Sequence, residues 1–222
     1  MKKTLSFILV LSFVFSLTSL ASAATTTSVT STLDRANALK NLNLFTGTEK
    51  GFDLDRAPTR VEAVVMLLRM LGEEKAALDS TLASPFTDVP TWATKYIAYA
   101  YKKGYTNGTT KTTFGSNNLA SPEQFVTFML RALGYSDKRE FDWAHSIEFA
   151  ESLGIVASGK YIKGSTSFMR GDCVDVMFSF LAAKEKGKTT TLAESLINSN
   201  IIDITTAYFG HIRTLFSKTS GQ

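Results

Sequence analysis

Two arginines open stretches of the chain that are similar to each other and strongly apolar. Arg60 begins the segment RVEAVVMLLRMLG, and Arg170 begins RGDCVDVMFSFL. A third similar segment, PEQFVTFMLRALG, starts with Pro122 where the other two carry arginine. A planar guanidinium can hold a carboxylate through two parallel hydrogen bonds, and the N-terminus of a helix also favours anions. The pattern therefore predicts that Arg60 and Arg170 bind an acidic ligand.

The residues that flank these arginines have a simpler role at the start of a helix. Thr59 and Glu62 have the spacing of a capping box, in which the two residues satisfy each other's backbone N–H groups. Ser121 and Gln124 repeat this spacing in the middle segment, which therefore keeps its helix start without an arginine. We accordingly expect the two guanidinium groups to be surplus to folding. The alternative is that each arginine forms a surface ion pair.

Four further side chains are candidates for the same ligand, and each has a structural alternative. Trp92 and Trp143 can stack on the apolar face of a sugar ring or pack in the core. Asp88 precedes a predicted helix, so its carboxylate either caps that helix or binds the sugar. Lys103 is either a solvated helix residue or a cation of the binding groove. We expect Gly108, in the loop after the helix that contains Lys103, to supply a left-handed turn.

No residues have the spacing of a catalytic or metal site. The histidines His145 and His211 lie in no metal-ligand motif and beside no nucleophile motif. Glu148 and Glu151 are neighbours on a predicted helix, whereas glycoside cleavage needs carboxylates that flank a cleft. Cys173 is the only cysteine, which excludes an intramolecular disulfide, and we predict that it is a small buried residue. We therefore predict no catalytic residue, no metal ligand and no cofactor.

The three similar segments are predicted to be helices that bury most of their surface. Apolar residues recur in them at three- and four-residue spacing and leave little polar face. Arg69 and Arg131 lie late on two of these helices, where a cation complements the helix dipole. More amphipathic segments precede the second and third helices and end at Gly104 and Gly154, as suits a helix C-terminus. Repeated segments of this kind must cover one another, which predicts an all-α fold of helix-loop-helix repeats around a central bundle.

The two ends of the chain differ from the repeats in composition. Residues 1–23 have the lysines, the apolar run and the small-residue site of an export signal, and the run is too short to favour a membrane span. We predict that this signal is cleaved, that 24–32 is a flexible leader, and that the tail at 186–222 has a last helix near 192–198. Removing the two lysines of the signal lowers the formal charge from +4 to about +2. This weak excess argues against nucleic acid as a partner, and the mature protein is predicted to be secreted.

The middle of the chain carries a spaced pattern of aromatic, acidic and glycine residues: Phe86, Asp88, Trp92, Gly104, Gly108 and Phe114. With the Thr-Arg-x-Glu start of the first apolar helix and the Leu-Gly that ends it, this pattern resembles the S-layer homology domain family. The similarity covers about residues 33 to 183. The resemblance implies three repeats, at 33–84, 85–138 and 139–185, in a pseudo-threefold arrangement around a central helical bundle.

The resemblance also implies a role at the cell surface. Members of this family bind secondary cell-wall polymers of Gram-positive-type bacteria through the arginine of the motif, often at a sugar whose pyruvyl ketal bears a carboxylate. By position, this role falls on Arg60 and Arg170. Because Pro122 stands at the matching position of the middle repeat, the resemblance implies that one of three grooves is weakened or silent. The expected function is a non-catalytic anchor, in the cell wall or S-layer, that binds an anionic polysaccharide in grooves between repeats.

Three points about partners and function stay open at this stage. Peptidoglycan is an alternative wall partner to the secondary polysaccharide. A structural envelope subunit that acts by protein-protein association, through the apolar residues of its tail, is an alternative function, and a cell-wall hydrolase is a third. The sequence predicts no membrane span after the signal is cleaved, and it leaves the oligomeric state open.

Overall fold

The computed structural model describes residues 31–203, which fold into helices joined by turns. Isolated bridge pairs such as Thr59 with Leu119 occur among these residues, but no β-strand does, so the all-α prediction is confirmed. Short 3-10 turns at Thr91–Ala93 and Trp143–His145 precede two of the helices. The helices are α1 (Thr32–Asn41), α2 (Arg60–Met70), α3 (Glu74–Asp79), α4 (Thr94–Lys102), α5 (Pro122–Ala132), α6 (Ser146–Ser152), α7 (Arg170–Leu181) and α8 (Leu192–Asn198).

Some sequence-based predictions fall at or beyond the ends of this range. The export signal at 1–23, most of the leader, His211 and the tail after 203 lie outside the described residues. Helix α1 begins at Thr32 and is capped by Ser31, at the boundary predicted for the leader. Helix α8 coincides with the last helix predicted in the tail. No helix within 31–203 is long and apolar enough to cross a membrane.

The helices α2, α5 and α7 contact one another at the centre of the fold. These are the three apolar segments, and side chains such as Leu67, Phe125 and Met177 have no exposed surface. Helices that are apolar on nearly all sides need other elements to cover them. Helix α1 packs on α7, α4 packs on α2 and α3, and α6 packs on α5. The helices at the centre are therefore those predicted, whereas their threefold arrangement stays a prediction.

Side-chain caps fix the starts of α2 and α5. Glu62 Oε2 accepts from Thr59 N at 2.7 Å, and Thr59 Oγ1 accepts from Glu62 N at 3.4 Å. Ser121 and Gln124 make the same pair of bonds at 3.3 and 3.4 Å. Both capping boxes are confirmed, so the position of residue 60 at the start of α2 is set by its neighbours.

Three glycines have two different structural roles. Gly104 and Gly154 follow α4 and α6 with φ of 77° and 68°, as predicted for helix C-termini. The left-handed turn predicted at Gly108 is wrong, because its φ is not positive. A β-carbon at Gly108 would lie 2.3 Å from Thr110 O and 2.4 Å from Phe86 Cε1. Glycine is needed there because the backbone and an aromatic ring approach too closely for a side chain.

Candidate ligand-binding site

Arg60, the first residue of α2, reaches into the loop between α4 and α5. Its backbone N–H donates to Asn118 O at 2.7 Å. Its Nε donates to Phe114 O at 3.0 Å and its Nη2 to Asn107 O at 2.8 Å, while the ring centroids of Phe114 and Phe128 lie 4.8 and 5.0 Å from Cζ. Only 6% of the residue is exposed. The expectation that this guanidinium is surplus to folding is therefore wrong, because it ties the loop to the helix.

The buried guanidinium of Arg60 forms no ion pair within residues 31–203. Among the described residues, no carboxylate oxygen lies within 4.0 Å of its nitrogens. Burial lowers the pKa of Arg60 to about 10, with a further decrease from Arg131 and an opposing effect from Asp88. The group is still protonated at neutral pH. Since two of its five N–H groups donate to described acceptors, Arg60 is a buried cation with unused donors.

A cavity of about 370 Å³ lies beside Arg60. This volume is at the lower end of the roughly 300–1,000 Å³ typical of small-molecule sites. Arg60 and Trp143, which comes from the turn before α6, both line it. The other lining residues come from the loop after α4, from α5 and from the segment after α5: Asn107, Gly108, Thr109, Gln124, Thr127, Phe128, Arg131 and Asp137. The fold thus brings two of the six predicted ligand-binding residues to one site.

One polar group in the wall of this cavity is buried without a hydrogen bond. Thr127, on α5, is 3% exposed, and its Oγ1 has no partner among the described residues. A buried polar atom left unpaired costs about 1–3 kcal/mol. This oxygen has almost no accessible surface of its own, so it lies behind the cavity wall and not at its surface. The group that the cavity offers to a ligand is therefore the guanidinium of Arg60.

The two tryptophans are both exposed, so the alternative that they pack in the core is wrong. Trp143 is 55% exposed and Trp92 is 57% exposed. Trp143 lines the cavity beside Arg60, whereas Trp92 is not one of its lining residues. The ring of Trp92 instead lies edge-on to Tyr96, with a centroid distance of 6.4 Å. The two side chains therefore expose similar amounts of surface, but only Trp143 lines the cavity.

Arg170, the first residue of α7, repeats the contacts of Arg60 at another place in the fold. Its Nε donates to Phe52 O at 3.1 Å, and its backbone N–H donates to Arg56 O at 2.9 Å. Its Nη1 lies 3.8 Å from the sulfur of Met66, and 5% of the residue is exposed. Burial lowers the pKa of Arg170, and repulsion from Arg56 adds to this effect. Here too the guanidinium joins a loop to a helix, so the prediction that it is surplus to folding is wrong. The alternative of a surface ion pair is also wrong, because the residue is buried.

The carboxylate of Asp88 anchors the same loop that Arg60 contacts. It accepts from the backbone N–H groups of Phe114 and Gly115 at 2.7 Å each, and from that of Ser116 at 3.3 Å. These bonds lower the pKa of Asp88 against the opposing effect of burial. The helix-capping interpretation is wrong, because the 3-10 turn follows Pro90 and has no side-chain cap.

Lys103 lies at the end of α4 and has local partners. Its Nζ is 3.3 Å from Glu73 Oε1 and lies 5.7 and 5.8 Å from the ring centroids of Tyr99 and Tyr105. It is not one of the residues that line the cavity at Arg60. Ligand binding by Lys103, Asp88, Trp92 and Arg170 stays a prediction.

Two residues that were considered for catalysis, Cys173 and Glu151, have structural surroundings. Cys173 has no exposed surface, as predicted, and its burial raises the pKa of the thiol. Glu151 Oε1 accepts a hydrogen bond at 2.8 Å from the backbone N–H of Gly159, in the loop after α6. Within 31–203, no group of three or more histidine, cysteine or acidic residues is placed to hold a metal ion.

Sequence reasoning missed the residues of α5 and of the segment after it. Arg131 forms an ion pair with Asp137 in the cavity wall, with Nη2 and Oδ2 2.6 Å apart. The available signal was its alignment with Arg69, which pairs with Glu74 at 2.8 Å. Two matched arginines late on apolar helices indicate a role beyond the helix dipole. The sequence pattern gave no sign of Thr127, because its meaning depends on the cavity.

Comparisons with known proteins agree with the family resemblance. Residues 85–126, which include the loop that Arg60 contacts, match the family model described as the S-layer homology domain. The chain therefore contains an S-layer homology domain.

Three bacterial surface proteins are similar to this chain over 61 to 70% of its length. A "Cell surface protein" of Thermoanaerobacter kivui is 33% identical over 166 residues, which are 70% of this chain and 21% of that protein. A "Middle cell wall protein" of Brevibacillus brevis is 29% identical over 143 residues, 61% of this chain and 14% of that protein. A "Surface layer protein" of Brevibacillus choshinensis is 26% identical over 155 residues, 66% of this chain and 14% of that protein. The similarity thus spans 14 to 21% of the length of these relatives, whose names place them at the cell surface, in the cell wall or in a surface layer.

Proposed function

We propose that this chain is a non-catalytic anchoring module that binds an anionic secondary cell-wall polysaccharide in the cavity lined by Arg60 and Trp143. The observation that carries the proposal is the guanidinium of Arg60, which is buried, lines a cavity and has no described carboxylate within 4.0 Å. A buried cation without a counter-charge is costly. An acidic sugar would supply that charge, and a pyruvyl ketal carboxylate fits this requirement.

Each polar feature of the cavity suits one part of a sugar. The unused N–H groups of Arg60 can donate to a carboxylate. The exposed indole of Trp143 offers an apolar surface for the face of the ring and an N–H donor. Together these groups favour an acidic carbohydrate over a purely apolar ligand.

The strength of one such site can be estimated from its hydrogen bonds. Two bonds from Arg60 to a carboxylate would contribute about 1.5–3 kcal/mol each. Association costs on the order of 4–15 kcal/mol in lost freedom, so a single cavity should bind weakly. Arg170 has matching contacts in another part of the fold, and a second site there would raise retention on a repeating polymer by avidity.

Cosedimentation with purified cell walls tests this proposal, with the two tryptophans as variant and control. Trp143→Ala should weaken binding by about 1–2 kcal/mol, which is roughly 5- to 30-fold, because the ring faces the cavity. Trp92→Ala removes a side chain of nearly equal exposure outside the cavity and should leave binding in this cavity unchanged. An unchanged Trp143→Ala variant, or equal losses in both, would overturn the site assignment.

The same assay separates the possible wall partners. Walls from which the secondary polymer has been chemically extracted should no longer retain the protein. Retention on extracted walls would instead indicate direct binding to peptidoglycan. Release of soluble wall fragments during incubation would contradict the non-catalytic proposal and favour a hydrolase.

A second candidate is a structural subunit that acts by protein-protein association. The similarity to a protein named "Surface layer protein" favours it. Sedimentation velocity of the purified protein, with and without residues 204–222, distinguishes the two functions and leaves the buried residues of α8 in place. A monomer in both cases argues against self-assembly, whereas assembly that is lost with the tail supports the subunit role.

A further inference from the structure

The cavity beside Arg60 contains a second guanidinium, and this one already has an acidic partner. Arg131 Nε donates to Asp137 Oδ1 at 3.0 Å and Nη2 donates to Asp137 Oδ2 at 2.6 Å. The Nη1 of Arg131 donates to Tyr105 O at 3.3 Å. Both partners of the ion pair line the cavity, and their side chains are 10% and 17% exposed. The site therefore contains two cations and one anion.

The two arginines differ in how many of their donors are occupied. Arg131 uses three nitrogens on acceptors within the protein, whereas Arg60 uses two nitrogens on backbone carbonyls and has no carboxylate. Because Asp137 pairs with Arg131, Arg60 is the lining cation that has no described carboxylate within 4.0 Å, and Asp88 acts on it only from a greater distance. An incoming ligand thus meets a guanidinium with unused donors and, in the same cavity lining, the carboxylate of Asp137.

We propose that Asp137 is a specificity-determining residue of this cavity, which selects a sugar with one acidic group over a sugar with two. The inference rests on the proposed function, because it concerns the ligand of the same site. One acidic group pairs with Arg60. A second acidic group on the same sugar would have to displace Asp137 from Arg131 or lie close to its carboxylate, and like charges repel.

Asp137 also has capacity for a neutral group of the ligand. A carboxylate has about four acceptor positions, and the bonds from Arg131 fill two of them. A sugar hydroxyl that donates to a remaining position is compatible with the ion pair. The expected ligand is therefore a sugar that bears a single acidic substituent and otherwise offers hydroxyl or amide groups.

Competition between matched probes tests this inference on the full chain bound to cell walls. The probes are N-acetylmuramic acid, with one carboxylate, and its 6-phosphate, which adds a second acidic group to the same ring. Wild type should be displaced by the first probe at a concentration at least 5-fold lower than by the second. Asp137→Asn should abolish or reverse this preference, because Arg131 then becomes available to the phosphate.

Two further variants control for folding and for the loss of charge. Asp137→Glu keeps the negative charge and should keep the preference for the singly charged probe. Glu74→Gln breaks the matching ion pair, in which Arg69 Nη2 lies 2.8 Å from Glu74 Oε1. Neither residue of this pair lines the cavity at Arg60. The Glu74→Gln variant should behave as wild type. A preference that is unchanged in Asp137→Asn, or lost equally in Glu74→Gln, overturns the inference.

The outcomes separate this inference from the proposed function. Wild type that binds walls through their secondary polymer, but is displaced equally by both probes or by neither, overturns the role of Asp137 alone. Wild type that does not bind walls overturns both proposals. Reversal of the preference in Asp137→Asn, with retention in Asp137→Glu, supports both.

Discussion

Replacing Arg60 with alanine should destabilise the fold as well as the proposed site. The substitution removes the hydrogen bonds to Phe114 O at 3.0 Å and Asn107 O at 2.8 Å. Hydrogen bonds of charged groups contribute about 1.5–3 kcal/mol each, so the direct loss is about 3–6 kcal/mol. Part of this is offset because the folded protein no longer buries an unpaired cation. We expect the free energy of unfolding to fall by about 2–4 kcal/mol.

Thermal unfolding of the purified protein measures this effect. For a chain of this size each kcal/mol shifts the melting temperature by about 2–4 °C, so Arg60→Ala should melt about 4–16 °C lower than wild type. Arg139→Ala is the matched control, because Arg139 is exposed and its loss changes the net charge equally. The control should melt within about 2 °C of wild type. Equal melting of Arg60→Ala and wild type would refute the structural role of Arg60.

Three further predictions concern buried groups. Thr127→Val should leave stability unchanged or slightly raised, since its Oγ1 is buried without a described partner, and a marked loss of stability would contradict this unpaired state. Cys173 should react with a thiol reagent only in denaturant, and rapid labelling of the native protein would contradict its burial. Hydrogen bonds from Arg131 lower the pKa of Asp137, so this carboxylate stabilises the fold above its ordinary pKa of about 3.9 and loses that effect as pH falls through its folded pKa. Asp137→Asn should therefore show a flatter loss of stability below about pH 4, and an unchanged acid profile would count against the ion pair.

The helices could be predicted from sequence because their signals are local. The apolar segments from 60, 122 and 170 became α2, α5 and α7, and the capping residues beside them fixed where α2 and α5 begin. Helix propensity, caps and apolar periodicity act over a few residues. The short helix α3 was missed because Glu74–Asp79 is shorter than two turns and has no side-chain cap.

The site could be predicted only in part because its residues come from distant parts of the chain. Arg60 and Trp143 were both candidates, but only the packing of α5 and α6 brings them to the same cavity. The structural role of Arg60 was missed because its acceptors are backbone carbonyls, which every residue carries. Asp88 was misread for a related reason: its partners are the N–H groups of residues 114 to 116, far along the chain.

The most direct test of the proposed site uses the chain's two tryptophans as reporters. Their indole N–H groups give two signals in a proton-nitrogen correlation spectrum, which Trp92→Phe and Trp143→Phe variants assign. On titration with fragments of the acidic wall polysaccharide, the signal of Trp143 should shift and that of Trp92 should stay in place. A shift of Trp92 alone, or no shift of Trp143 while the fragments bind, would contradict binding in the cavity at Arg60.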